Sequence, residues 1–171
     1  IPFDEFSRRQ ALYRAAEIAS AHDVPEFVNK AQAIYGYAHF VNDAAGSLCE
    51  LEDPAVIDLL VEHTLILYVQ VTTATEEKEL IRRAQSDPFR PAFLAEHMPR
   101  YLAERGLPDI AAADPDDFTR WIFPHLFHAR IPRYAAIAQP HGYTVTSAEV
   151  ARIRDEKGFM ALMESAIARS S

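Results

Sequence analysis

Residues 64–71 read TLILYVQV, and this nearly continuous apolar run decides the fold. A strand with one face in water alternates apolar and polar side chains, whereas an unbroken run is typical of a parallel strand that helices cover on both faces. The run is also far shorter than the ~18 apolar residues that a membrane-spanning helix needs. We therefore predict a sheet flanked by helices and no membrane span.

Two further strands are predicted, one on each side of this run. Residues 37–43 (YAHFVND) are aromatic and β-branched and end in a polar pair, and residues 142–146 (GYTVT) form a short apolar segment. Because helical patterns separate the three segments, we expect parallel pairing through right-handed crossovers. The prediction is a helix-rich α/β fold with a short parallel sheet, built as one domain over residues 1–171.

Amphipathic patterns and capping signals predict the helices around these strands. Capping boxes begin two of them, Thr73 with Glu76 and Thr146 with Glu149. Prolines are expected to bend the helix over residues 92–105 at Pro99 and to interrupt the helix over residues 116–129 at Pro124. The predicted helices cover residues 4–21, 25–34, 55–62, 73–85, 92–105, 116–129, 133–139 and 146–168.

Composition narrows the class of protein. The 171 residues are 49% hydrophobic and 25% charged, as in an ordinary globular domain. The net charge of −8 argues against a nucleic-acid binder, although local arginines still permit a small anionic ligand. Cys49 is the single cysteine, so no intrachain disulfide can form and a reducing, cytoplasmic location is expected.

Asp43 is the first candidate site residue, because it ends the predicted strand over residues 37–43. Ligands of open parallel sheets bind at the carboxyl ends of the strands. A hydrophobic strand ending in Asp is also how phosphoryl-transfer proteins place a carboxylate near Mg²⁺. The alternative is that Asn42 and Asp43 only form a turn.

Arginines form the second candidate group. Arg82 and Arg83 end a predicted helix, and Arg90 lies in the proline-containing segment that follows it. Such cations could neutralise the charge on a transferring phosphoryl group, or they could be solvated side chains at a helix end. Arg130 and Arg133 suit the bidentate recognition of phosphate or carboxylate, with surface salt bridges as the alternative.

A histidine pair is the third candidate. His125 and His128 are three residues apart on a predicted helix and could share a metal ion. No third ligand is evident in the sequence, and the aromatic residues around Trp121 favour a packed helix instead.

Three of these segments together resemble the P-loop kinases of the nucleoside-monophosphate-kinase and shikimate-kinase type. Residues 40–43 (FVND) are similar to the strand that carries the Walker B-type acid. Residues 80–83 (LIRR), with Arg90 behind them, are similar to the arginine-bearing lid. Residues 130–134 (RIPRY), followed by a short strand and a last helix, resemble the closing segment of shikimate kinases.

The resemblance implies Mg-ATP as the cofactor and a role for each candidate. Asp43 would be the catalytic acid and would hold Mg²⁺ through water. The arginines would divide into a phosphate-binding set and a substrate- or nucleotide-binding set: Arg82, Arg83 and Arg90 in the first, Arg130 and Arg133 in the second.

The chain departs from that family in its glycines. The family's Gly-x-x-x-x-Gly-Lys-[Ser/Thr] loop holds the nucleotide phosphates, but the five glycines of this chain are too far apart to build it. The sequence also starts at Ile1 without Met. We expect a piece of a longer ATP-binding protein, inactive without an upstream phosphate-binding loop.

Two functions follow from the sequence. The first is an ATP-binding, P-loop kinase-like or ATPase domain, with a small-molecule nucleotide as its partner and neither nucleic acid nor membrane. The alternative is a non-catalytic helical interaction module that forms a homodimer or binds a protein partner.

Overall fold

The computed structural model describes residues 3–44, 48–51, 53–86 and 95–170. In these ranges the chain is helix-rich, with eight α-helices and two strands. In order they are α1 (Phe3–His22), α2 (Val24–Tyr35), α3 (Pro54–His63), β1 (Ile66–Gln70), α4 (Ala74–Ser86), α5 (Met98–Arg105), α6 (Pro115–His141), β2 (Gly142–Thr146), α7 (Ser147–Val150) and α8 (Glu156–Ser170). The predicted helix-rich fold with a short parallel sheet between helices is confirmed.

The sheet consists of β1 and β2, which pair in parallel. The register runs from Ile66 opposite Gly142 to Gln70 opposite Thr146. Helix α6 packs against both strands. At the first pair the strands approach closely, because a Cβ atom at Gly142 would lie 2.7 Å from the carbonyl oxygen of Ile66. A residue without a side chain is therefore required where α6 turns into β2.

Local chemistry explains where the helices begin. The Asp53 carboxylate accepts the Ala55 N–H at 3.0 Å, and Pro54 occupies the first turn of α3. Thr73 and Glu76 cap α4, and a complete capping box of Thr146 and Glu149 begins α7. The bounds of the early helices therefore fall within one or two residues of the predicted ones.

Two buried clusters form the core of the described residues. One joins α1, α5 and α6 through Phe6, Met98, Tyr101, Phe118, Ile122 and Leu126. The other packs α2 and α3 against the short segment 48–51 through Val24, Leu48, Leu51, Val56 and Leu60. Because the second cluster includes both ends of that segment, it fixes one wall of the site described below.

The predicted strand over residues 37–43 is wrong. Residues 37–44 form neither helix nor strand, and the side chains of Tyr37, Phe40 and Val41 are exposed. A strand is held by the backbone hydrogen bonds of a neighbouring strand, and in the described part of the chain β1 pairs only with β2. The apolar pattern of this segment therefore belongs to a surface loop.

The predicted interruption at Pro124 is also wrong. The two helices expected over residues 116–129 and 133–139 form the single helix α6, which contains Pro124, Pro132 and Pro140. Proline has no N–H, so Pro124 leaves the carbonyl of Arg120 without its helical donor. That carbonyl accepts the Gln85 side-chain amide from α4 at 3.3 Å, while the Arg120 guanidinium donates to the Gln85 carbonyl at 3.0 Å. Packing against α4 thus replaces the missing bond.

Two other helices differ from the prediction at their ends. The expected last helix is divided into α7 and α8 by residues 151–155. The helix expected over residues 92–105 is helical from Met98, after a 3-10 turn over Ala95–His97, and residues 92–94 lie outside the described ranges. None of the described helices combines the length and the apolar character needed to cross a bilayer.

Candidate functional site

A cleft of about 260 Å³ lies between α1, the start of α2 and the loop that leads to residues 48–51. Its walls are mostly small or apolar, with carboxylates and an amide among them. The described residues that line it are Tyr13, Ala16, Glu17, Ser20, Ala21, Val24, Asn42, Asp43, Ala44, Leu48, Leu51 and Leu60. Its volume is somewhat below the ~300–1,000 Å³ of ordinary small-molecule pockets.

The polar lining of the cleft consists largely of side chains whose oxygen atoms can act as metal ligands. Asp43 and Asn42 reach it from the loop, and Glu17 reaches it from α1. Carboxylate and amide oxygens are the ligands that Mg²⁺ and Ca²⁺ prefer. No Lys or Arg is among the described lining residues, so the cleft favours a cation and disfavours a bare anion. In the part of the chain that the structure describes, the cleft included, no three His, Cys, Asp or Glu residues are grouped as a metal site.

Arg130 supports one wall of the cleft from outside it. Its Nε donates to Glu50 Oε1 at 2.7 Å and its Nη2 donates to Glu50 Oε2 at 2.9 Å. Glu50 is 4% exposed, and it lies between Leu48 and Leu51 of the cleft wall. Burial opposes the charge of Arg130, but the hydrogen bonds to Glu50 and the negative charge of that carboxylate together outweigh it and keep the pKa of the guanidinium above its usual value.

The predicted substrate-binding role of Arg130 and Arg133 does not fit this geometry. Arg130 is engaged by Glu50, and neither arginine lines the cleft. Arg133 is exposed on α6. The spacing of residues 130–134 indicates two arginines near a helix start, but it carries no information about a carboxylate 80 residues earlier in the chain.

The single cysteine lies beside the Arg130–Glu50 pair. Cys49 is partly buried next to Tyr134, whose ring stacks on Tyr68 of β1 at a centroid distance of 5.7 Å. Burial raises the pKa of the Cys49 thiol and also holds the pKa of Tyr134 above its ordinary range. Because the thiolate is the nucleophile, Cys49 is suited to packing and not to covalent catalysis.

The predicted phosphate-binding arginines do not reach the cleft. On α4, Arg82 is exposed and pairs with Glu79 at 2.6 Å, and Arg83 is exposed one residue further on. Neither lines the cleft, and Arg90 lies outside the described residues. Of the predicted site residues that the structure describes, Asp43 alone lines the cleft, and it does so from a loop.

The carboxyl ends of β1 and β2, where a ligand was expected, are occupied by side chains of the chain itself. Glu76 caps α4, Glu149 caps α7, and the Ser147 hydroxyl donates to Glu76 Oε1 at 2.8 Å. The hydrogen bond from Ser147 is the main reason that the pKa of Glu76 is lowered. Both helix N-termini therefore already hold a carboxylate, which disfavours a phosphate at this edge.

The histidine pair is divided between two structural contacts. His128 Nε2 lies 2.7 Å from Glu77 Oε1 of α4, and the His125 ring packs against Trp121 with centroids 5.2 Å apart. His128 thus joins α6 to α4, and no described residue completes a metal site with the pair.

Three contributors to the cleft were missed by the sequence reasoning. Glu17 is one charged residue among several on α1, and Glu50 follows a cysteine in an apolar stretch. Arg14 donates through Nη2 to the carbonyl of Leu51, a contact between residues 37 positions apart. No local pattern distinguishes these side chains from solvated ones.

No family model, no curated protein and no solved structure matches this chain.

Proposed function

We propose that the chain is a Mg²⁺-dependent, ATP-binding domain of the P-loop kinase-like class, with Asp43 at the metal. The observation that carries this proposal is the place of Asp43, the acid on which the resemblance depends: it lines the cleft together with Asn42 and Glu17. Phosphoryl transfer needs a glycine-rich loop that these glycines do not form. For this chain we therefore propose binding, without turnover.

Charge sets the order of binding. The described lining of the cleft includes two carboxylates and no Lys or Arg, and the nearby Arg14 donates to the carbonyl of Leu51, so we expect a bare triphosphate to bind poorly. A divalent ion held by these oxygens reverses the local charge and bridges them to phosphate oxygens. ATP should accordingly bind only with Mg²⁺ present.

The volume limits what the cleft can hold. A space of about 260 Å³ is smaller than ordinary ligand pockets. In this proposal it holds the ion and the phosphate oxygens that bind the ion. The ribose and base would lie outside the cleft.

The test compares Tm in the presence of MgCl₂, ATP and Mg-ATP, with calorimetric titration to measure binding. A ligand of the folded state raises Tm in proportion to its occupancy. Asp43→Asn should abolish the Mg-ATP shift, whereas Asp58→Asn, an exposed residue of α3 that does not line the cleft, should retain it. The proposal fails if the wild type shows no shift or if Asp43→Asn keeps it.

A second function, the non-catalytic interaction module, has its own observation. Eight large apolar side chains between positions 12 and 41 are exposed: Leu12, Tyr13, Phe27, Ile34, Tyr35, Tyr37, Phe40 and Val41. They lie on α1, α2 and the following loop, and the rings of Tyr35 and Tyr37 stack at 5.4 Å. Exposed aromatic clusters of this kind are typical of protein interfaces.

For this second function we propose self-association through the aromatic surface of α2. Light scattering over a hundredfold range of concentration should then show a dimer. Ile34→Glu should shift the chain to monomer, and Leu65→Gln, which changes an exposed apolar residue at the start of the β1 region, should not. A monomer at every concentration of the wild type would exclude it.

A further inference from the structure

Two arginines from different helices hold the segment 48–51. Arg130 of α6 binds both oxygens of Glu50, and Arg14 of α1 donates to the carbonyl of Leu51. Cys49, the residue before Glu50, is partly buried beside Tyr134 of α6. Three successive residues of this segment are therefore fixed by contacts from helices distant in sequence.

The Arg130–Glu50 pair is the stronger of these contacts. The side chain of Glu50 is 5% exposed and that of Arg130 is 19% exposed. A buried carboxylate that loses its cation is strongly destabilised, so the pair resists opening. Two parallel hydrogen bonds also fix the orientation of the carboxylate, which a single contact to a lysine would not do.

The fixed segment is part of the cleft. Leu48 and Leu51 line it directly, so holding the segment fixes the part of the wall that they form. Asn42 and Asp43 line the same cleft from the loop over residues 37–44. On the facing side, α1 carries Glu17 into the cleft and supplies Arg14 to the segment.

We propose that Arg130 is a positioning residue that acts through Glu50 to hold the part of the cleft wall that Leu48 and Leu51 form. The expected effect of Arg130 on Mg-ATP binding rests on the function proposed above. Its expected effect on the order of the segment 48–51 is independent of that function. Loss of the pair should therefore loosen the segment 48–51 first and weaken the cleft's ligand binding as a result.

Cys49 provides the readout, because it is the single cysteine of the chain and lies inside the held segment. Its rate of reaction with a thiol reagent under native conditions reports local opening of the segment. We expect Arg130→Met and Glu50→Gln to raise the rate by ~10-fold or more, as loss of a charge-assisted hydrogen bond would. Arg130→Lys keeps the charge but cannot make the two parallel hydrogen bonds of a guanidinium. Its rate of Cys49 labelling should therefore lie between those of these variants and that of the wild type.

Two controls separate local opening from general instability. Arg154→Met removes an exposed arginine of the connection between α7 and α8, which is not among the charges that act on the Cys49 thiol, and should leave the rate unchanged. Met98→Ala weakens the other hydrophobic cluster and should lower Tm without a comparable rise in Cys49 labelling. The proposal would be overturned if Met98→Ala and Arg130→Met had the same Tm and the same rate of Cys49 labelling. It would also be overturned if Arg130→Met labelled at the wild-type rate.

The Mg-ATP shift of the same variants gives the second readout. It should decrease in Arg130→Met and recover in part in Arg130→Lys. If the wild type shows no shift, the proposed function fails while the labelling rates still decide on the positioning role. If Arg130→Met does not fold by circular dichroism, Arg130→Lys and Glu50→Asp decide it, and wild-type labelling rates in both would count against it.

Discussion

Replacing Gly142 by alanine would place a methyl group inside the first pair of the sheet. The new Cβ atom would lie 2.7 Å from the carbonyl oxygen of Ile66 and 3.1 Å from its Cβ and Cγ2 atoms. These separations are shorter than the ~3.5–4.0 Å that is optimal for nonbonded heavy atoms, so the contacts would be repulsive. The nearest atom belongs to the backbone of β1 and cannot rotate away. The φ angle of −150° suits alanine, so the cost is steric and not conformational.

The expected size of the effect follows from similar overpacking. Forcing one extra methyl into a close contact costs ~1–3 kcal/mol. For a domain of this length each kcal/mol lowers Tm by ~2–4 °C, so Gly142→Ala should melt ~2–12 °C below the wild type. The assay is thermal unfolding followed by circular dichroism, with urea unfolding at 25 °C as a check on the free energy.

Gly158→Ala is the matched control. Gly158 lies in α8, and the nearest atom to its new Cβ would be Asp155 Oδ1 at 3.2 Å, a side-chain oxygen that needs to shift by only a few tenths of an ångström while it keeps its hydrogen bond from the Gly158 N–H. Alanine also favours the helix by up to ~1 kcal/mol. This variant should melt at or above the wild-type temperature. A Gly142→Ala chain that melts as high as the wild type would refute the close approach of the strands at Ile66.

Three smaller predictions concern caps and titrating groups. Thr146→Ala should lower the free energy of unfolding by ~1 kcal/mol in urea titrations, while Thr146→Ser keeps the cap and should change it little. Burial and the hydrogen bond to Asp117 raise the pKa of Tyr101 from 10.0 to about 12, so its contribution to stability is complete below pH 10 and is lost as pH rises to 12. Tyr101→Phe should make the fall of Tm over that window less steep. Hydrogen bonds from Arg8 and Arg9 lower the pKa of Glu5 from 4.5 to about 2. The ion pairing of Glu5 with these arginines is therefore complete above pH 4.5 and is lost as pH falls towards 2. Carboxyl NMR should show this titration, and Arg8→Ala should move it upward; a Glu5 midpoint near 4.5 in the wild type would contradict it.

Sequence reasoning succeeded where the deciding forces are local. The run over residues 64–71 contains β1, and the segment over residues 142–146 is β2 with the same bounds. The capping residues Asp53, Thr73 and Thr146 begin helices where expected, because each cap satisfies an N–H only two or three residues away.

It failed where the deciding partner lies elsewhere in the chain. Residues 37–43 have strand composition, but no described strand pairs with them. Pro124 has a helix-breaking side chain, but Gln85 of α4 supplies the donor that the helix lacks. The Arg130 guanidinium is suited to binding phosphate, but it binds the Glu50 carboxylate, which is 80 residues away in sequence. In each case the outcome depends on a residue or strand that is distant in sequence, which the local sequence does not reveal.

The prolines of α6 also determine when this helix can form. Each proline costs ~3 kcal/mol in a helix interior, and isolated helices are marginal in water even without such a cost. A peptide of residues 115–141 should therefore show little helical circular dichroism. In the whole chain α4 is synthesised before α6, so the Gln85 amide is available to donate to the Arg120 carbonyl when α6 emerges. We therefore expect α6, the longest of the described helices, to form late in folding, after α4 and the strands that it packs against.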